Sequence, residues 1–200
     1  MLKKTIISLA TAFSLTFPLA CEASPGDSIT SYFSSVENRR INNQSTTKDK
    51  IVLRTLYRSM ILAGYTQFPE ASKVLNQCMR GDGEDVKISS RYFEKSEYVQ
   101  ARLAEKPDGT YGPYFFKQSE DVRLSYTFNG FYLDVKTLDS GERHVKIYQN
   151  IDFSHGKPLT NRGVNTRFYL GPLTFKMSDS LVFVASDCKP FTAYAEWVIE

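Results

Sequence analysis

From Asp121 to Phe153, apolar and polar residues alternate in a pattern that predicts three antiparallel strands. In the first run Val122, Leu124, Tyr126 and Phe128 interleave with Asp121, Arg123, Ser125 and Thr127. Asn129-Gly130 follows, a dipeptide suited to a two-residue turn because both central residues need positive φ. That turn would set Phe128 against Phe131, Tyr126 against Leu133 and Leu124 against Val135, keeping one face apolar. The next turn, Asp139-Ser140-Gly141, reads as a three-residue loop with Gly141 in the left-handed region. It pairs Val135 with Val145, Leu133 with Ile147, Asp134 with Lys146 and Tyr132 with Tyr148. A two-residue loop would set Val145 against Lys136 and mix the faces.

Upstream, the apolar period changes to that of amphipathic helices. Ile29, Tyr32, Phe33 and Val36 share one helical face, with Asp27 or Ser28 as cap. Thr46 or Thr47 caps a second helix whose stripe is Val52, Leu53, Leu56, Tyr57, Met60 and Ile61, ended by Gly64. Pro69 suits the first turn of a third, with Ala71, Val74, Leu75 and Cys78 on one face and Gly81 beyond its end. A short strand is predicted over Val86–Ile88, and a fourth helix from Ser89 or Ser90 through Leu103, where the Tyr and Phe content leaves a strand as the alternative. Lys106–Gly109 and Tyr111-Gly112-Pro113 read as turns.

Downstream, Ser154–Gly163 is rich in breakers and reads as a loop. Val164, Thr166, Phe168 and Leu170 alternate; Gly171-Pro172 is either a tight turn, which pairs Leu170 with Leu173, Phe168 with Phe175 and Thr166 with Met177, or a bulge in one long strand. Leu181–Ala185 is apolar on both sides and reads as a central strand. Phe191, Ala193, Ala195 and Trp197 alternate in a last strand. Helices followed by strands make an α+β chain: three or four N-terminal helices on one face of a mostly antiparallel, curved sheet of about six strands. The expected organisation is a leader over residues 1–23 and a single domain over 24–200, its helical half at 27–105 and its sheet half at 111–199.

The leader carries a basic start, Lys3-Lys4, an uncharged apolar stretch from Thr5 to Phe17 that is too short for a membrane span, and a cleavage zone from Pro18 to Ala23. Cutting after Ala23 leaves small residues at the recognition places; a cut after Ala20, which would put Pro18 at the outer place, and a lipid anchor at Cys21 are the alternatives. Export to the periplasm or medium is therefore expected. It changes the reading of the cysteines. Once Cys21 is removed or lipidated, Cys78 and Cys188 remain, an even pair suited to a disulfide in an oxidising compartment.

Net charge is +3 over 200 residues, about +2 without the leader, which gives no electrostatic case for nucleic acid. No cysteine–histidine clustering points to zinc, and Gly81–Asp85 lacks the alternating carboxylates of a calcium loop. No cofactor is implied. Asp152, Ser154 and His155 are too close in sequence to fold into a triad, and no nucleophile elbow is present. The polar face of the expected three-stranded unit brings together Arg123, Tyr132, Lys136, His144, Lys146 and Tyr148. Tyrosine and basic groups on one sheet face suit a protein interface. The reading is an exported, non-catalytic binding protein of inhibitor, immunity or accessory type that engages another protein. The alternatives are a small-molecule binder with a pocket between helices and sheet, and a small envelope hydrolase.

Overall fold

The computed structural model describes residues 25–104, 106–116, 122–128, 130–153, 166–170, 173–177 and 179–199. The leader, Cys21, Asp121, Asn129, the Ser154–Gly163 loop and the Gly171-Pro172 turn lie outside them. In chain order the elements are α1 (Pro25–Ile41), α2 (Thr47–Gly64), α3 (Pro69–Arg80), β1 (Val86–Lys87), α4 (Arg91–Glu94), α5 (Glu97–Leu103), β2 (Gly109–Phe115), α6 (Val122–Thr127), β3 (Gly130–Thr137), β4 (Arg143–Ile151), β5 (Thr166–Leu170), β6 (Leu173–Met177), α7 (Asp179–Ser186) and β7 (Phe191–Ile199). The chain is α+β, with its first helices N-terminal to an open, mixed sheet. That sheet has five strands rather than about six, and β5–β6 forms a separate two-stranded ribbon. No helix among the described residues is long and apolar enough to cross a membrane.

Two compact units are present. The described residues of the first fall within Met1–Ala63, Met79–Gly81 and Asp152–Lys189. Here α1 lies against β6 and α7. Phe33 and Val36 of α1, and Val52, Leu53, Leu56, Tyr57, Met60 and Ile61 of α2, are buried as their periodicity requires. The cap of α2 is reciprocal: Asp49 N donates to Thr46 Oγ1 at 3.1 Å, and Thr46 N donates to Asp49 Oδ2 at 3.0 Å. Asp49 is itself buried, at 2% exposure.

The second unit comprises Gly64–Cys78, Asp82–Ile151 and Pro190–Glu200. Its sheet runs β1-β7-β4-β3-β2, with β1 parallel to β7 and the other neighbours antiparallel. Phe131, Leu133, Val135, Val145, Ile147, Phe191, Ala193 and Ala195 line its buried face. On that face Phe116 stacks on Phe131 with centroids 4.6 Å apart. Tyr98 of α5 meets the Phe131 edge at 6.4 Å, and Phe93 of α4 lies 5.4 Å from Phe128. The helices of this unit therefore cover one face of the sheet.

The β3–β4 register is the one the loop chemistry predicts: Val135↔Val145, Leu133↔Ile147, Asp134↔Lys146 and Tyr132↔Tyr148, with Gly141 at φ +88°. The β5–β6 ribbon also has its expected register, from Leu170↔Leu173 to Thr166↔Met177. Cys78 and Cys188 form a disulfide, and both are buried.

Several expectations are corrected; α1 begins at Pro25, so Asp27 and Ser28 lie inside it rather than capping it. The run after Asp121 is not a strand but helix α6, with Leu124, Thr127 and Phe128 buried at helical spacing. Over six residues the two periods overlap, and pattern alone does not separate them. The pairings of that run with β3 do not exist, because β2 occupies the place beside β3. Tyr111-Gly112-Pro113 is not a turn but an irregularity inside β2, where the register shifts between Tyr111 and Tyr114. Leu181–Ala185 is helical, in α7; a short, uniformly apolar run suits a buried helix as well as a strand. The helix expected up to Leu103 is split into α4 and α5, because the Ser96 hydroxyl accepts from Val99 N at 3.4 Å and starts a new helix. Gly64 is the last helical residue rather than a left-handed cap, and a side chain there would collide with the Ser72 hydroxyl.

Candidate functional site

Residues directly opposite in a ladder point to the same side of a sheet. The register therefore gathers Tyr132 and Lys136 of β3 with His144, Lys146 and Tyr148 of β4 on the face away from the aromatic core. Strand β7 adds Tyr194 opposite Tyr148, Glu196 opposite Lys146 and Val198 opposite His144. Strand β1 adds Lys87, opposite Tyr194. The face is half-buried to exposed, with Val198 at 48%.

Three tyrosines thus form a row across three strands. Tyr132 and Tyr148 stack with centroids 5.5 Å apart and planes at 22°. Lys146 Nζ lies 4.8 Å from the Tyr194 ring and 5.8 Å from the Tyr148 ring, an arrangement that holds the ammonium between them.

The carboxylates of the face are engaged within it. Lys87 Nζ donates to Glu196 Oε1 at 2.6 Å, and His144 Nε2 lies 3.6 Å from Glu196 Oε2. The hydrogen bond from Lys87 holds the Glu196 carboxyl below its ordinary range and raises the lysine in turn. Thr110 Oγ1 donates to Asp134 Oδ1 at 2.8 Å.

Arg123 does not belong to this face. It sits on α6, where its guanidinium lies 5.3 Å from the Tyr92 ring. Conversely, Tyr194, Glu196 and Lys87 were not among the expected site residues. A signal existed: Tyr194 and Glu196 interleave with Ala193 and Ala195, so they share one side of the last strand. What the pattern lacked was the identity of the neighbouring strand.

Elsewhere the chemistry is structural. In the acidic turn, Asp82 Oδ1 accepts from Gln77 Nε2 at 2.6 Å and from Glu84 N at 3.0 Å. Asp85 Oδ1 accepts from Thr192 N at 2.7 Å, at the start of β7. Among the described residues no group of three or more His, Cys, Asp or Glu side chains converges as a metal site. Ser154 and His155 lie outside the described residues. In the first unit an open depression of ≈ 710 Å³ is lined by Arg40, Asn43, Ser45, Lys50, Phe183 and Asp187, among others. Its charges are already engaged: Lys50 pairs with Asp187, and the Arg40 guanidinium lies 5.2 Å from the Phe183 ring.

No known family model matches the chain, and neither the curated proteins nor the solved structures contain a match to it.

Proposed function

We propose that this is an exported, non-catalytic binding protein, of inhibitor, immunity or accessory type, that engages another protein through the open face of its five-stranded sheet. The observation that carries the reading is the row Tyr132–Tyr148–Tyr194 with Lys136, His144 and Lys146 beside it, on a half-buried to exposed face opposite the one on which Tyr98 and Phe116 pack. Tyrosine supplies large contact area at low entropic cost and a hydroxyl for orientation, which is why it recurs at protein interfaces. Export is supported by the leader pattern and by a buried disulfide, a bond that persists in oxidising compartments.

The test is expression of the tagged full chain in its own host. The mature protein is expected outside the cytoplasm with Ser24 as its first residue. Capture from envelope and medium, read by mass spectrometry, is expected to recover one protein at near-equal stoichiometry. The triple variant Tyr132→Ala/Tyr148→Ala/Tyr194→Ala, checked for an unchanged circular dichroism spectrum, is expected to lose it. A partner that survives in the variant places the interface elsewhere. Recovery of the bare protein alone removes the protein-binding reading and directs attention to small molecules.

A further inference from the structure

Helix α2 buries one side in the first unit and leaves a strip of mixed character on the other. Lys48, Ile51, Thr55, Arg58 and Leu62 are exposed, and Arg54 beside them is half-buried. Steps of three and four residues place all six on one continuous strip of the helix. Ile51 is 59% and Leu62 71% exposed, although both are large aliphatic side chains. The one carboxylate of α2, Asp49, is buried and clasped by Arg39. The strip therefore carries cations and aliphatics and no negative charge.

Folding makes little use of these cations. Lys48 and Arg58 form no hydrogen bond or ion pair among the described residues. Arg54 gives one long bond, from Nη2 to the Met79 carbonyl at 3.4 Å. Lys48 stands in the first turn of α2, where a cation opposes the helix dipole. Lys50, on the flank, differs in being paired with Asp187.

We propose that this strip of α2 seats the protein on the surface of an anionic phospholipid bilayer. Ile51 and Leu62 enter the boundary between headgroups and acyl chains, and Lys48, Arg54 and Arg58 meet lipid phosphates. Charge selects the surface, because cations without counter-charges are drawn to an anionic leaflet. The order of the residues selects lipid over protein. Ile51 and Leu62 lie about three turns, roughly 16 Å, apart along the axis, with Thr55 and Arg58 between them. A groove in a partner protein would have to bury Arg58 between two apolar contacts, which is costly unless a carboxylate meets it. At a bilayer the aliphatics dip in singly while the guanidinium stays at the depth of the phosphates. A second copy of the strip would bring like charges together. This reading concerns α2 alone and does not depend on the sheet face.

The experiment is co-sedimentation of the mature protein with sucrose-loaded vesicles. These are phosphatidylcholine alone or with about one part in three phosphatidylglycerol, at about 0.1 M and about 0.5 M salt. The wild type is expected to bind the anionic vesicles, more weakly at high salt, and not the neutral ones. Lys48→Gln/Arg58→Gln is expected to weaken binding about tenfold or more. Ile51→Ser/Leu62→Ser is expected to weaken it about tenfold while the salt dependence remains. Both variants alter exposed side chains only, so their melting is expected to change little. Lys73→Gln/Lys95→Gln, which removes the same charge from exposed positions elsewhere, is expected to bind like the wild type.

Absence of vesicle binding overturns the proposal, as does undiminished binding by either strip variant. An equal loss in Lys73→Gln/Lys95→Gln overturns it by making net charge the cause. Vesicle binding that survives removal of the aliphatics, matched by binding of a heparin hexasaccharide, overturns it in favour of a polyanion. A host protein held by the wild type and lost by both strip variants, without vesicle binding, overturns it in favour of a protein partner. Self-association that the aliphatic variant abolishes, again without vesicle binding, overturns it in favour of a second copy of this chain. Each of these outcomes leaves the sheet-face reading to its own tyrosine variant.

Discussion

Arg39 clasps the carboxylate of Asp49 with two bonds: Nε lies 2.9 Å from Oδ2 and Nη2 lies 2.5 Å from Oδ1. Tyr32 adds its hydroxyl at 3.2 Å, and Thr46 adds its amide and hydroxyl. The pair joins α1 to the first turn of α2. Burial by itself pushes the Asp49 carboxyl up, but the bonds from Arg39 and Thr46 together outweigh it and hold the group down at about 2. Burial and the neighbouring carboxylate raise the Tyr32 phenol.

The consequence is a pH dependence of known sign. A carboxyl depressed from the unfolded value near 3.9 contributes stability that is fully present above about pH 4. That contribution, roughly 2.5 kcal/mol, is lost as the pH falls towards 2. Asp49→Asn is expected to be less stable than the wild type at neutral pH. In urea melts the gap is expected to close between about pH 4 and pH 2. A gap that stays constant over that range would show that the carboxylate is not the source.

Removing the disulfide should matter more than any single cap. It closes a loop of roughly 110 residues, for which the chain-entropy account gives about 4.7 kcal/mol as an upper figure. The double variant Cys78→Ser/Cys188→Ser is expected to melt well below the oxidised wild type. Added reductant should bring the wild type to the level of the variant. Equal melting of variant and oxidised wild type would sink the bond's stabilising role.

Glycines in the sheet unit are predicted to differ sharply. A Cβ on Gly112, at φ +123°, would stand 2.9 Å from the Phe131 carbonyl oxygen, so both backbone and space oppose it. Gly112→Ala is expected to cost about 2–3 kcal/mol or more. Gly141, at φ +88° with nothing within 4 Å, meets only the backbone penalty, and Gly141→Ala is expected to cost about 1 kcal/mol. Gly130 would press on the Phe115 ring, which is 58% exposed and can swing away, so Gly130→Ala should be the mildest. Thermal melts of the three rank them; any other order contradicts the β2 irregularity.

Two serines test where the helix restarts. Ser96 is buried, and its hydroxyl accepts from Val99 N; Ser90 makes no cap bond and reaches Glu94 instead. Ser96→Ala is expected to cost about 1 kcal/mol, and Ser90→Ala clearly less. Equal losses in chemical denaturation would return α4 and α5 to a single continuous helix.

Half of the candidate face was readable in advance, and the reason is local. Tyr132, Lys136, His144, Lys146 and Tyr148 all lie within one hairpin whose loop contains the glycine that its geometry demands. Arg123 was placed there wrongly, because so short a run satisfies a helix as easily as a strand. Tyr194, Glu196 and Lys87 reach the face only through strands distant from β4 along the chain, and no turn chemistry encodes such pairing.

By itself, then, the sequence determined what neighbouring residues can settle: the registers of β3–β4 and β5–β6, the starts of α2 and α3, the strand at Val86, and the pairing of the last two cysteines. In each case a turn, a cap or a simple count favours the solution that the fold adopts. Tertiary structure alone decided which strand lies beside which, that β2 rather than the run after Asp121 flanks β3, and that Leu181–Ala185 is helical. Those choices depend on how much apolar surface is buried once distant segments meet. That sum over the whole fold leaves no mark on any short window of the chain.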